Sequence, residues 1–230
     1  MLKPRKRITK KELKQDTLVT TYFKVVDFLR NNRKLVSGTV TGLIIAAIVV
    51  VAYMNNRRSD NTKAATELSQ VLDAFSGGAY QVAINGDPTH NVAGLKAIVQ
   101  NYGGSETGEQ AKIYLADCYY YLGDYDNAMK YFKDYDGSDR FLQASAYAGM
   151  AEVYEVKGDY ANAAEYFERA ASSDSKNFLA AQYLVGAARN YIKTGKKDRA
   201  ITLLTRVEKD FPNSQYADNV NYLMAQAKVE

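Results

Sequence analysis

The 230-residue chain is poor in the residues that most chemistry needs: it has one cysteine, one histidine, three prolines and no tryptophan. A lone Cys118 excludes an intramolecular disulfide and a cysteine-rich metal framework. A lone His90 leaves no histidine pair for zinc and no H-E-x-x-H site. No G-x-S-x-G, P-loop or dinucleotide fingerprint occurs. Two carboxylate pairs remain, Asp124/Asp126 and Asp134/Asp136. The first sits where a helix needs a cap, and the second lies in a polar connector without EF-hand spacing. The sequence thus points to a non-enzyme with no catalytic residue, no metal site and no cofactor. Few prolines, with abundant Ala, Leu and Tyr, favour an all-α fold.

Charge is scarce in one stretch and lopsided around it. Residues 1–54 carry 11 Lys+Arg and three acids (Glu12, Asp16, Asp27), a surplus of eight. The other 19 basic and 23 acidic residues leave 55–230 four charges negative. A nucleic-acid binder spreads a basic face over its folded domain. This domain is acidic, so nucleic acid is not an expected partner.

From Leu35 to Met54 twenty residues pass without a charge, around the core Leu43-Ile44-Ile45-Ala46-Ala47-Ile48-Val49-Val50-Val51. At about 1.5 Å per residue such a helix covers the ~30 Å hydrocarbon layer of a bilayer. Basic residues flank it on both sides, and no A-x-A cleavage site follows, so the sequence reads as an uncleaved membrane anchor. Eleven Lys/Arg precede the span, and only Arg57, Arg58 and Lys63 follow closely. The positive-inside rule then places the N-terminus in the cytoplasm and 55–230 across the membrane. Gly38 and Gly42, extended by Ala46, allow close helix pairing and hence homo-oligomers. Before the span, Thr9 to Glu12 has the pattern of a capping box. Val19, Tyr22, Phe23, Val26 and Leu29 then recur at helical spacing, which fits a basic amphipathic helix on the inner leaflet or a solvated tail.

From residue 108 the chain repeats itself. Leu115-Ala116, Tyr119, Gly123-Asp124-Tyr125, Ala128 and Phe132 recur as Met150-Ala151, Tyr154, Gly158-Asp159-Tyr160, Ala163 and Phe167. A third copy runs Ala187-Ala188, Tyr191, Gly195, Ala200 and Leu204, closing at Phe211-Pro212. The register steps, Ala116 to Ala151 to Ala188, are close to 34 residues. Small residues let two helices approach, and glycine ends the first of them. Asp124 and Asp159 are placed to cap the second, while the aromatics fill gaps between hairpins. On these residues the chain resembles the tetratricopeptide repeat (TPR) family, which implies a right-handed α-solenoid of stacked helical hairpins behind the transmembrane helix. The expected segments are 1–34, basic and cytoplasmic; 35–54, transmembrane; and 55–107, a linker helix and degenerate first hairpin. The repeats follow over 108–230, at about 108–142, 143–177 and 180–214, with a capping helix at 215–230. In the degenerate hairpin, Ala64, Leu68, Val71, Leu72 and Phe75 form one face, and Leu95, Ile98, Val99 and Tyr102 another. Between them Asn85-Gly86-Asp87-Pro88 marks a reversal, and alternating Tyr80, Val82 and Ile84 suggest a short strand.

The repeat register implies a concave groove lined by the first helix of each hairpin. The candidate protein-binding residues are Gln110, Ile113, Asp117, Tyr120, Tyr121, Glu152, Gln182, Arg189 and Tyr222. Family members that clamp chaperone tails need Lys and Asn at positions occupied here by Ile113, Asp117, Ala148 and Glu152, so that activity does not carry over. The Tyr120–Tyr121 pair is the expected anchor. The layout is similar to that of ancillary subunits of the bacterial Sec translocon. That resemblance implies a scaffold in the inner membrane with a periplasmic domain and partners among translocon subunits or chaperones. Two alternatives are a cytosol-facing receptor anchored in an organelle membrane and a non-catalytic accessory of a cell-envelope enzyme.

Overall fold

The computed structural model describes residues 10–174 and 178–228, with side chains from 19 onward except at 217 and 218. The chain forms two compact units, divided between Asn56 and Arg57. The Thr9 capping box lies outside the described residues.

The first unit holds α1 (Lys10–Asn31) and the start of α2 (Arg33–Ser76). Asn32 alone separates them, and the backbone bonds Asn32 N–H to Phe28 C=O and Val36 N–H to Asn32 C=O carry helical bonding across it. The apolar run sits in α2, which is long and apolar enough to cross a membrane, with none of that window buried. Ser37 and Thr39 return their hydroxyls to carbonyls three or four residues earlier, so these polar groups are satisfied within the helix.

In the second unit the end of α2 packs through Ala64, Leu68 and Val71. Its neighbours are α3 (Tyr80–Asn85), α4 (Leu95–Tyr102) and α5 (Glu106–Tyr121). Asn61 Oδ1 accepts from the Thr107 N–H at 2.7 Å, and the Tyr102 hydroxyl donates to Glu67 at 2.9 Å. The segment 80–85 is a helix and not the strand that its alternation suggested. Tyr80, Ala83 and Ile84 share a helical face, with Ala83 and Ile84 buried, whereas Val82 points outward. Burying that face decides the conformation. The reversal after it is a short hairpin of two-residue strands, β1 (Gly86–Asp87) against β2 (Val92–Ala93). His90 lies exposed at its tip, where its Nδ1 meets Asp87 at 2.6 Å.

Helical pairs follow: α5 with α6 (Tyr125–Lys133), α7 (Arg140–Val156) with α8 (Tyr160–Ser173), and α9 (Ala180–Lys193) with α10 (Lys197–Asp210), then α11 (Ala217–Lys228). Each hairpin turns in one way. Gly158 takes φ +77°, its N–H bonds to Glu155 C=O, and the Asp159 N–H reaches Tyr154 C=O, which is a Schellman closure. Gly123 and Gly195 repeat it. Asp124 and Asp159 then cap α6 and α8 by accepting the N–H groups of Asn127 and Asn162. Lys196 stands in for the aspartate before α10, which has no side-chain cap.

Stacking of the hairpins depends on rings laid against glycines. A Cβ at Gly149 of α7 would stand 2.2 Å from the Phe132 ring of α6. One at Gly186 of α9 would stand 3.2 Å from Phe167 of α8. Both rings are buried, at 2% and 5% exposure, and each burial contributes about 2 kcal/mol. Tyr147 and Tyr166 touch both apolar clusters of the unit and so join them. One joint is polar: Lys112 pairs with Glu109 at 2.8 Å and donates to the Asp134 C=O, while Glu109 accepts the Asp136 N–H. That buried pair pins the 134–139 connector to α5.

Two glycine variants separate these roles in urea melts of the full chain in mild detergent. Gly158→Ala forces a side chain into the left-handed region and should cost about 1 kcal/mol. Gly149→Val overpacks the Phe132 contact and should cost about 1–3 kcal/mol, with Phe132→Leu recovering part of the loss. A Gly149→Val chain as stable as wild type would show that the ring does not set the spacing.

Candidate protein-binding groove

Helical spacing puts Asp117, Tyr120 and Tyr121 on one face of α5, and Glu152 and Glu155 on one face of α7. On α9, Gln182, Val185, Arg189 and Lys193 follow the same rule. The first helices of successive hairpins meet directly, α5 against α7 and α9 against α11. A cavity of about 160 Å³ opens on this surface, bounded by Glu152, Gln182, Val185 and Arg189, with Phe167 and Gly186 behind and Tyr216 and Asn219 closing it. Three of the candidate residues, Glu152, Gln182 and Arg189, therefore share one cavity. Tyr216 donates its hydroxyl to Gln182 Oε1 at 2.8 Å, which fixes that side chain.

The other candidates fall elsewhere. Tyr120 is half-buried, packed edge-on against Tyr121 (5.8 Å) and Tyr125 (5.7 Å). Tyr121 is 60% exposed, and its ring stacks on Tyr80 at 4.8 Å. Ile113 is 5% exposed and belongs to the apolar core, so it offers a partner little area. Gln110 is half-buried near the start of α5, and Tyr222 on α11 is 68% exposed; neither borders the cavity. The sequence reading missed Tyr80, because its segment was taken for loop or strand. It assigned Phe167 to packing only and Tyr216 to the last helix, although the 34-residue offset from Gln182 to Tyr216 is close to the repeat period.

The electrostatics divide the surface. Glu155 is fully engaged: Arg189 reaches it with Nε at 3.1 Å and Nη2 at 2.8 Å, and Lys193 adds a contact at 3.3 Å. Burial raises the Glu155 pKa, but those donors outweigh it and hold the carboxyl below its usual range. Glu152 is pushed up by burial and by Glu155, with Arg189 opposing. Asp117 goes further, up to about 7, by burial first and the Glu152 charge second. Behind it, burial and the Asp117 charge push the Cys118 thiol up to about 12, so that thiol is inert at neutral pH.

A carboxyl whose pKa is raised on folding favours the folded state when protonated. The contribution of Asp117 to stability should therefore fall as pH rises from about 4 through about 7. Asp117→Asn should melt above wild type at pH 8, and the gap should narrow at pH 5. A gap that does not change with pH, or a variant less stable at pH 8, would contradict the burial of a charged Asp117.

Comparison with known proteins agrees with this architecture. A tetratricopeptide repeat-like domain family model matches residues 27–183, and a tetratricopeptide repeat model matches 157–227. Among curated proteins none matches the sequence. Two crystal structures of a Podosopora anserina kinesin light chain with nearly identical TPR-like repeats are similar in fold, each at 14% identity. One, a substituted form of that protein, gives a TM-score of 0.55 over 73% of this chain and 85% of its own. The other gives 0.51 over 73% and 94%. Repeats of this kind are typically non-catalytic scaffolds for protein–protein interaction. With a family model covering more than half its length and the hairpin stack described above, the chain belongs to the tetratricopeptide repeat-like family.

Proposed function

We propose that this protein is a membrane-anchored scaffold whose repeat domain, held outside the cytoplasm, docks other proteins in the groove of α5, α7, α9 and α11. The observation that carries the reading is the pairing of two surfaces in one chain. An unburied apolar helix suits lipid, and a cavity-bearing face with two exposed tyrosines suits a protein partner. In this reading 1–34 stays in the cytoplasm, 35–54 crosses the inner membrane, and 55–107 leads into the repeats of 108–230. Partners are subunits of a membrane complex for translocation or envelope assembly, or the chaperones that serve it.

Topology is tested by adding protease to spheroplasts. Residues 60–230 should be digested while the extreme N-terminus is spared, and replacing the Lys and Arg residues before the span with Gln should give mixed orientations. Protection of 60–230 would instead favour a cytosol-facing receptor.

The groove is tested by crosslinking in native membranes. Aromatic anchors that a partner buries contribute about 2 kcal/mol, roughly thirtyfold in affinity. Tyr121→Ala with Tyr222→Ala should abolish the main crosslinked partner without changing helical content. Lys130→Ala with Lys133→Ala, on α6, should keep it. The reverse pattern would move the binding surface to the second helices of the hairpins.

A further inference from the structure

Two carboxylates stand on neighbouring helices of the groove, and among the described residues neither has a donor. Among the described residues, no hydrogen-bond donor or ion-pair partner reaches Asp117 of α5 or Glu152 of α7, whereas Glu155, one turn beyond Glu152, takes both Arg189 and Lys193. Arg189 acts on Glu152 only at longer range. Buried polar groups ordinarily find partners, and a carboxylate left without one destabilises the fold. Asp117 is half-buried, and the Glu152 charge bears on it. Folding alone gives no reason for acids here. The neighbouring groove positions Ile113, Ala148 and Val185 are filled by apolar side chains.

The surroundings point to what completes the pair. Tyr121 follows Asp117 by one helical turn, and its ring is stacked on Tyr80 with one side of the pair open to solvent. Tyr120 lies edge-on to Tyr121, and Phe75 buttresses Tyr80 at 6.0 Å. Tyrosine faces beside carboxylates suit an ammonium or guanidinium group on an aliphatic stem, through charge and through the negative face of the ring. Two carboxylates are too few for a calcium ion, which takes six to eight oxygens. Glu152 also lines the cavity shared with Gln182 and Arg189, so the α5–α7 face adjoins it.

We propose that the α5–α7 face of the groove receives a lysine or arginine side chain of a partner polypeptide, with Asp117 and Glu152 as its counter-charges and the Tyr80–Tyr121 stack as the wall for its stem. The assignment rests on the reading of the groove as a protein-binding surface and adds the chemistry of what it selects. The groups that act on Asp117 are Cys118 and Tyr121 from its own helix, Glu152 from α7 and Tyr183 from α9. None of them is a cation at neutral pH, so the partner supplies the positive charge. Protonation of Asp117 on acidification then weakens the site.

The test uses the full chain in dodecyl maltoside and pools of nonapeptides, random except for a central Arg, Lys, Gln or Glu. At pH 8 the Arg and Lys pools should be retained at least fivefold better than the Gln pool, and the Glu pool least. Asp117→Asn with Glu152→Gln should reduce that preference below twofold, as should wild type at pH 5.5. Glu165→Gln with Asp198→Asn, which removes two exposed acids outside the groove, should leave it intact. Equal retention of the Arg and Gln pools, or a preference kept by the Asp117/Glu152 variant, overturns the proposal. So does a preference lost equally in the Glu165/Asp198 variant, since diffuse negative charge would then be the cause. The crosslinking result for Tyr121→Ala with Tyr222→Ala decides the groove separately. A partner lost there with no Arg or Lys preference here overturns the cation assignment alone; a partner kept there overturns the groove.

Discussion

Phe132 against Gly149, and Phe167 against Gly186, fix the distance from each hairpin to the next. A ring can lie flat on a helix only where no Cβ intervenes, so the two glycines let α7 and α9 come close enough to be sealed by the preceding hairpin. Everything on the groove side follows from that spacing. It brings α7 and α9 within reach of the Glu155–Arg189 ion pair, and it sets Glu152, Gln182 and Arg189 around one cavity. The same closeness encloses Asp117 and Glu152 between neighbouring helices.

Stability and binding pull in opposite directions on that surface. The turns are closed by Schellman bonds and aspartate caps, and the connector after α6 is held by the Lys112–Glu109 pair. These devices satisfy every polar group they use. The groove carboxylates do the opposite, since burial raises both and among the described residues neither has a donor. The groove is therefore a place where the fold departs from the locally consistent choices made in its turns.

Much of the domain could be read from local sequence. The glycines at 123, 158 and 195 end helices because a residue without a side chain tolerates positive φ, and Asp124 and Asp159 cap because their carboxylates lie three residues before a free N–H. The turns at Tyr102–Ser105 and Phe211–Ser214 close with the same backbone bond, at 2.8 and 3.0 Å. Where the reading went astray, distant residues decided. Tyr80 to Asn85 alternates like a strand but coils into a helix because Ala83 and Ile84 are buried together. Ile113 fits the groove register, yet it is taken up by the core.

The sequence by itself determined the apolar helix, the hairpins, their turns and their period, because each depends on contacts within a few residues. Only the tertiary structure decided that Tyr80 stacks on Tyr121, that Phe132 and Phe167 rest on glycines of the next helix, and that Arg189 reaches Glu155 and not Glu152. Those outcomes depend on pairs far apart in the chain, 34 residues for Glu155 and Arg189. No local pattern records which side chains the stacking of helices will bring together.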